Sequence, residues 1–210
     1  MVTKIDLLTH ASFKITNKKI IYIDPFNIDK DYMDADIVLI SHDHYDHFSK
    51  KDILKIRKDN TIYIAPLSIR NMIDKELEGE DVRYLKTNEE INLDNINIKG
   101  IPSYNINKRF HPREKNYLGF LISLDNEKIF YIGDSDINED NMKIKCDTLL
   151  VPIGGTYTMN YEEAASLTNH LQPKKVIPYH YGSIVGEENL KDKFKALIDK
   201  NIEVLTIKRY

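Results

Sequence analysis

A continuous apolar run, Ile37-Val38-Leu39-Ile40, leads directly into Ser41-His42-Asp43-His44-Tyr45-Asp46-His47-Phe48. A short unbroken apolar run suits a strand covered on both faces. Three of the chain's seven histidines fall just after it. If His42 and His44 extend the strand, they point to the same side, and both imidazoles reach one cation. Asp46 and His47 are adjacent, need a turned backbone and serve a different position. Two cation pockets close together are the natural product of such a segment. Neutral imidazole and carboxylate are the ligands expected for zinc and its neighbours. The competing reading is a polar loop with chance histidines. The H-x-H-x-x-H spacing, with an acid before the third histidine, weighs against it.

Other strand ends carry similar residues. Asp134 follows the apolar strand of I-F-Y-I-G-D-S-D, and a carboxylate there could bridge two metals; Gly133 before it lets backbone approach closely. A turn-forming Asp is the equal alternative. His180 closes V-I-P-Y-H-Y-G. Asp24, in I-Y-I-D-P-F, could orient a ligand imidazole from behind or cap the turn that Pro25 sets. His10 could play the same orienting part, against a plain core histidine. His111, in a loop before Pro112, is open to either reading. His170 lies near a helix C-terminus, where its charge suits the dipole.

The chain around these residues reads as one domain over 1–210. Its 41% hydrophobic and 30% charged residues are ordinary for a globular protein. The formal charge is −3 with both signs mixed, so no basic stripe argues for nucleic acid. The N-terminal stretch shows neither a signal-peptide pattern nor a membrane span. The lone Cys146 forms no internal disulfide and reads as a small buried hydrophobe. The expected setting is a reducing cytoplasm, the expected partner a small-molecule substrate, and homo-oligomerisation is left open.

Strands are expected over 4–8, 12–16, 19–24, 36–41, 61–65, 82–85, 90–93, 96–101, 117–124, 128–132, 148–151, 175–178 and 203–207. Asp125-Asn126 reads as a hairpin turn. Ser49 with Asp52 opens a helix carrying Ile53 and Ile56. Ser68 is expected to cap a second. Asn160 with Glu163 opens a third, through Leu171, and a fourth starts near Glu187. So many strands without an intervening helix suit two mixed sheets with helices outside, rather than one doubly wound sheet.

The segment H-D-H-Y-D-H matches the H-x-H-x-D-H signature of the metallo-β-lactamase superfamily, and the chain resembles that family from His10 to about Gly186. The segments T-H-A-S-F-K-I, Y-I-D-P-F, Y-I-G-D-S-D, P-I-G-G-T-Y-T-M and P-Y-H-Y-G resemble the branch that includes L-ascorbate-6-phosphate lactonase-like proteins. The resemblance implies an α/β (α+β) fold, a four-layer αββα sandwich of two mixed sheets flanked by helices. It implies a metal-dependent hydrolase with two divalent ions, zinc first, with manganese or iron as alternatives. By the family pattern His42 and His44 bind the first ion, and Asp46 and His47 the second. Asp134 bridges both, and His180 completes the second. Asp46 and Asp134 are the carboxylates of the reaction centre. One position departs: in P-S-Y-N, Asn105 stands where the family carries a third histidine for the first ion. An amide oxygen is a poorer zinc ligand than imidazole. His111, six residues on, is the candidate replacement.

Such a site generates hydroxide at neutral pH by lowering the pKa of bound water, and it stabilises the developing oxyanion. Hydrolysis of an ester, lactone, thioester or phosphodiester follows as the reaction class. The backbone of Gly154 and Gly155, with Thr156 and Thr158, could hold an anion ahead of the helix at Asn160; a plain turn is the alternative. Lys108, Arg109 and Arg113 could form a basic rim for a phosphorylated substrate, against a solvated loop. A nuclease and a degenerate, non-catalytic member are the rival classes.

Overall fold

A computed structural model of the chain describes residues 2–205. The backbone forms two compact units, the first running to Leu85 and the second starting at Lys86.

The first unit is a six-stranded sheet in sequence order. Strands β1 (Lys4–Thr9), β2 (Ser12–Thr16) and β3 (Ile20–Ile23) are antiparallel neighbours. Strands β4 (Ile37–Leu39), β5 (Ile62–Pro66) and β6 (Asp81–Leu85) then add in parallel. The apolar run that opens the sequence argument is β4, buried at every position and paired on both sides. That is why its sequence does not alternate. Helix α1 (Lys50–Ile56) connects β4 to β5, and α2 (Arg70–Glu76) connects β5 to β6.

Strand direction places the chemistry. β1 runs antiparallel to β2 and β2 to β3, so β1 and β3 run the same way, and β4 runs with them. The β1–β2 turn with His10, the end of β3 with Asp24, and the end of β4 with residues 41–48 therefore share one edge of the sheet. Carboxyl ends of parallel strands are where open sheets expose binding residues.

The second unit repeats the plan, antiparallel strands first and parallel strands after. Its seven-stranded sheet runs β13-β12-β11-β10-β9-β8-β7. Strands β7 (Glu90–Leu93), β8 (Ile96–Pro102), β9 (Leu118–Leu124) and β10 (Glu127–Tyr131) are antiparallel. Strands β11 (Thr148–Pro152), β12 (Lys175–Tyr179) and β13 (Glu203–Val204) extend it in parallel. The expected hairpin turn is present: Leu124 pairs with Glu127, leaving Asp125-Asn126 as the loop, with Asp125 at φ 49°. Helix α3 (Tyr161–Leu171) links β11 to β12 and buries Ala164, Leu167 and Leu171 in a core with Leu149, Val151 and Val176. Its start is a reciprocal cap. Asn160 accepts the Glu163 amide at 2.8 Å, and Glu163 accepts the Asn160 amide at 2.8 Å. By the same directional argument, β8, β10 and β12 end at one edge, which carries Asn105, the 106–116 loop, Asp134 and His180.

Element boundaries differ from expectation at several points, β4 among them, which ends at Leu39 rather than at 41. Ser68 does not cap α2; a 3₁₀ turn over Leu67–Ile69 runs straight into it, and Leu67 O accepts the Arg70 amide. The last helix, α4, spans Leu190–Ala196 rather than starting near Glu187. Strand β13 covers Glu203–Val204 with Leu205 following it outside the strand, and residues 206–207 of the expected 203–207 stretch lie outside the described residues. Cys146 is half-buried beside the second unit's core. Burial pushes its thiol up to about 12, so it acts as an apolar filler rather than a nucleophile.

Asp52 does more than sit in the first turn of α1. Its carboxylate accepts the Asn27 amide at 2.9 Å, the Ile28 amide at 3.0 Å, the Ser49 hydroxyl at 2.6 Å and Lys55 Nζ at 3.1 Å. It ties α1 to the segment leaving β3. Burial opposes its charge, but the Ser49 hydroxyl, Lys55 and the two amides outweigh that and hold its pKa below the ordinary carboxylate value. Asp52→Ala should lower unfolding free energy by about 2–4 kcal/mol, because the buried Ile28 amide and its partly buried neighbours lose their acceptor; urea titration measures it. Since the folded pKa is depressed, the contribution is present above the unfolded value near ~4 and fades as pH falls through the folded value. The difference between the Asp52→Ala and unaltered chains should therefore shrink in acid.

Candidate functional site

In the first unit the signature residues do not continue β4. Residues after Leu39 leave the strand, and the His47 and Phe48 amides both donate to His44 O, at 3.0 and 2.9 Å. This tight turn gathers the rings. The His42 ring lies 4.6 Å from that of His44 and 4.0 Å from that of His47. His42 and His44 meet as the spacing predicts, though through a turn rather than through strand alternation.

Asp24 organises this group. It is fully buried at φ 45°, a left-handed conformation that costs a non-glycine residue roughly 1–2 kcal/mol. Its Oδ1 accepts the Ser41 amide at 2.7 Å, and its Oδ2 accepts the Ser41 hydroxyl at 2.5 Å. Oδ2 also lies 2.7 Å from His47 Nδ1. A carboxylate can only accept, so His47 Nδ1 carries the proton and Nε2 presents its lone pair. Ser41 has one hydroxyl proton, and Asp24 takes it. The 2.8 Å contact between Ser41 Oγ and His42 Nδ1 is then a donation from His42, whose Nε2 is left with its lone pair as well. One buried carboxylate thereby sets the tautomer of two imidazoles, one directly and one through a serine. Asp24, His42 and His47 each offer an atom within 4.8 Å of the others. With three donors already on its oxygens, Asp24 is placed to hold the two imidazoles rather than to bind a cation itself.

His10 is buried in the β1–β2 turn, at φ 33°. Its Nε2 lies 3.2 Å from Asp46 Oδ2, and His47 Nε2 lies 3.9 Å from the same oxygen. It therefore faces Asp46 and is not merely packed in the core.

In the second unit Asp134 is 3% exposed and follows Gly133, whose φ is 75°. A side chain on Gly133 would meet Ser103 Oγ at 2.8 Å. The backbone here is pinned: the Tyr179 hydroxyl donates to Gly133 O at 2.7 Å, and the Ser103 hydroxyl donates to Asp134 O at 3.1 Å. Asp134 Oδ2 lies 3.1 Å from His180 Nε2 and 3.6 Å from His111 Nε2. His180 and His111 are buried, at φ 59° and 57°. Strained backbone conformations concentrate at functional sites, and His10, Asp24, His111 and His180 all adopt one. Asn105 is also buried. Its Nδ2 donates to Phe110 O at 2.9 Å and to Tyr157 O at 2.7 Å.

The expected anion cradle has a different use. The Gly155 amide donates to Met159 O at 3.0 Å and is not presented to a ligand. Gly154 passes so close to His180 that an added Cβ would lie 2.2 Å from His180 O. The Thr158 hydroxyl donates to Met159 O at 3.2 Å, and Thr156 is exposed. These residues shape a turn. Two members of the expected basic rim are paired, Lys108 with Asp136 and Arg113 at 3.0 Å from Glu139 and 3.6 Å from Asp140, while Arg109 is exposed. A recess of about 510 Å³ is lined by Tyr104, Asn105, Lys108, Arg113, Glu114 and Glu139 among others, with acids and bases in balance. His170 contacts Met142 O at 3.2 Å at the end of α3, away from the ligand edge.

Ser41, Ser103 and Tyr179 are the contributors that sequence reasoning does not pick out. A small hydroxyl at a strand end is ordinary in any fold, and no spacing marks these three. The donor chemistry fits a divalent cation in both units. Imidazole and carboxylate groups are buried, and in the first unit their far atoms are held by hydrogen bonds. Among the described residues no helix is long and apolar enough to cross a membrane.

A family profile described as a beta-lactamase superfamily domain matches residues 4–180. A UPF0173 metal-dependent hydrolase of Thermococcus onnurineus is 30% identical, covering 99% of this chain and 97% of its own. One from Pyrococcus abyssi is 29% identical over the same shares. A crystal structure from Parabacteroides distasonis ATCC 8503 superposes with a TM-score of 0.84 at 28% identity, covering 99% of this chain and 94% of that one. Together with the two mixed sheets and the histidine- and aspartate-bearing strand ends, these likenesses show that the chain belongs to the beta-lactamase superfamily, in the family of UPF0173 metal-dependent hydrolases.

Proposed function

We propose that the chain hydrolyses an ester, lactone or phosphodiester bond of a small molecule, with His42, His44, Asp46, His47, Asp134 and His180 as ligands of its divalent metal centre. Zinc is the first candidate ion, and a cytoplasmic setting is expected. When bound, the metal lowers the pKa of a water and stabilises charge developing on the substrate oxygen. The observation that carries the reading is the Asp24–Ser41–His42 and Asp24–His47 arrangement. It keeps two buried imidazoles in the tautomer that leaves Nε2 available. Two buried imidazoles whose Nε2 lone pairs are presented toward a cation are what a metal centre requires, and this supports an active hydrolase over a degenerate member.

Within that class the resemblance to L-ascorbate-6-phosphate lactonase-like proteins makes lactones the first substrates to assay. The mixed surface charge, with Lys108 and Arg113 each beside acids, speaks for a small, possibly phosphorylated, molecule rather than a nucleic acid. Metal quantification, with hydrolysis assays on lactones, a chromogenic phosphodiester and acyl thioesters, tests the proposal. Chelation should abolish hydrolysis and lower the melting temperature, and Zn²⁺ should restore both. His44→Ala should lose metal and activity together. Retention of both by this variant would remove the ligand assignment.

A further inference from the structure

The second unit leaves apolar side chains exposed at its ligand edge. Strands β8, β10, β11 and β12 all end there. Ile106 and Phe110 are exposed on the loop leaving β8, and Ile184 on the loop leaving β12. Single exposed apolar residues need no explanation. Phe110 differs because it is built into a pair: its ring meets that of Tyr157 edge-to-face, with centroids 4.9 Å apart and planes at 87°. We propose that Phe110 and Tyr157 form the surface that receives an aryl group of the substrate, and so set specificity. The proposal rests on the hydrolase reading above and deepens it by naming the substrate class: a small molecule with an aryl group beside the bond that is cut.

The two rings come from different loops, and one buried amide holds both. Asn105 Nδ2 donates to Phe110 O at 2.9 Å and to Tyr157 O at 2.7 Å. Each loop is also closed on itself. On the Phe110 side the Asn105 amide donates to His111 O at 2.8 Å, and on the Tyr157 side the Gly155 amide donates to Met159 O at 3.0 Å. The backbone beneath the rings is therefore set before a ligand arrives, and binding costs little loop ordering. The same arrangement fixes the pair to the reaction centre. Asn105 Nδ2 lies 3.4 Å from His111 Nδ1, and His111 Nε2 lies 3.6 Å from Asp134 Oδ2. The pair is thus tied, through a single amide, to the back of an imidazole that faces Asp134.

The geometry of the pair suits a third ring. A T-shaped contact engages the edge of one ring and one face of the other, so further faces remain for a planar group to lie against. Phe110 keeps 43% of its surface exposed, and Tyr157 is half-buried. The neighbouring cations Lys108 and Arg113 already stand beside acids, which leaves apolar contact as what the rings add here. The rival role is a staple that only joins the two loops. A staple predicts weaker folding with no change in ligand preference, whereas a receiving surface predicts a changed preference.

The test loads the full-length protein with Zn²⁺ and titrates it, by calorimetry, with acetohydroxamate and with benzohydroxamate. Both probes carry the same zinc-binding group and differ in a methyl against a phenyl. Benzohydroxamate should bind at least about tenfold more tightly, as partial burial of a phenyl ring gives, and with the more negative heat-capacity change. Phe110→Ala and Tyr157→Ala should each bring the ratio of the two affinities to within about twofold of one. Tyr157→Phe keeps the ring and should preserve the ratio. Phe110→Leu keeps apolar bulk, is the safer variant for folding, and should lower the ratio by a smaller factor. Comparing ratios between variants cancels any difference between the probes as zinc binders, and circular dichroism with bound-zinc analysis checks each variant. A ratio near one in the unaltered chain, or a ratio that both alanine variants leave unchanged, overturns the assignment while leaving the metal centre standing. A parallel loss of both affinities at constant ratio makes the pair a staple and overturns it too. No uptake of zinc, or no binding of either hydroxamate, by the unaltered chain would instead overturn the metal-centre reading, and this assignment with it.

Discussion

Asp24→Ala should remove most of the protein's metal affinity and about 3–5 kcal/mol of its stability. The stability figure is that for breaking a buried charged network from one side. Asp24 accepts from the Ser41 amide, the Ser41 hydroxyl and His47 Nδ1, and its loss leaves all three buried without their acceptor. The metal effect has a separate cause. Without the carboxylate nothing fixes the His47 tautomer, and the Ser41 hydroxyl is free to donate to His42 Nδ1, which moves the His42 proton to Nε2. Outer partners of metal ligands are worth about 10–100-fold in affinity, and Asp24 serves two imidazoles, so a loss of at least about 100-fold is expected. Asp24→Asn separates the two effects. It keeps the shape and one acceptor oxygen, so stability should fall less, while its NH₂ faces donors and disrupts the tautomers. Chelator competition and denaturant titration on both variants give the comparison. Equal metal affinity in Asp24→Asn and the unaltered chain would mean that Asp24 is only a turn cap.

Gly154→Ala should be nearly as damaging, although the added group is a single methyl. Its Cβ would lie 2.2 Å from His180 O and 2.8 Å from Val185 Cγ1. The first of these is backbone and cannot swing away, so the chain must move. The moving residue, His180, already holds a positive φ and faces Asp134 at 3.1 Å. Overpacking of this kind costs about 1–3 kcal/mol, and more where backbone is the obstacle. A fall of about 3 kcal/mol, together with weaker metal retention, is the expected outcome. Thermal melts with and without Zn²⁺ check it. An unchanged melting temperature would show that the 152–157 turn yields freely.

Much of this was readable in advance. The unbroken apolar run of β4 announced a strand covered on both faces. The Asn160–Glu163 pair announced the start of α3, and Asp125-Asn126 the hairpin. Such features are local: a run, a cap and a turn each depend on a few neighbouring residues. The Ser68 cap failed for a local reason as well, since Pro66 and the 3₁₀ turn begin the helix another way. The glycines of the 152–157 turn were readable as punctuation, but not the use of the Gly155 amide, whose acceptor at Met159 depends on how the turn closes.

The sequence by itself determined the signature, the strand-end placement of Asp24, Asp134 and His180, and the mixed-sheet class, because periodicity and spacing record which faces are buried and where strands stop. Only the tertiary structure decided what those residues do to one another. It turned the even choice at Asp24 into a shared holder of His42 and His47, brought His10 against Asp46, and neutralised Lys108 and Arg113 with acids 26 to 28 residues away. It also placed His111 beside Asp134. These are pairings between distant residues, set by strand order and direction, and no local pattern in the chain encodes them.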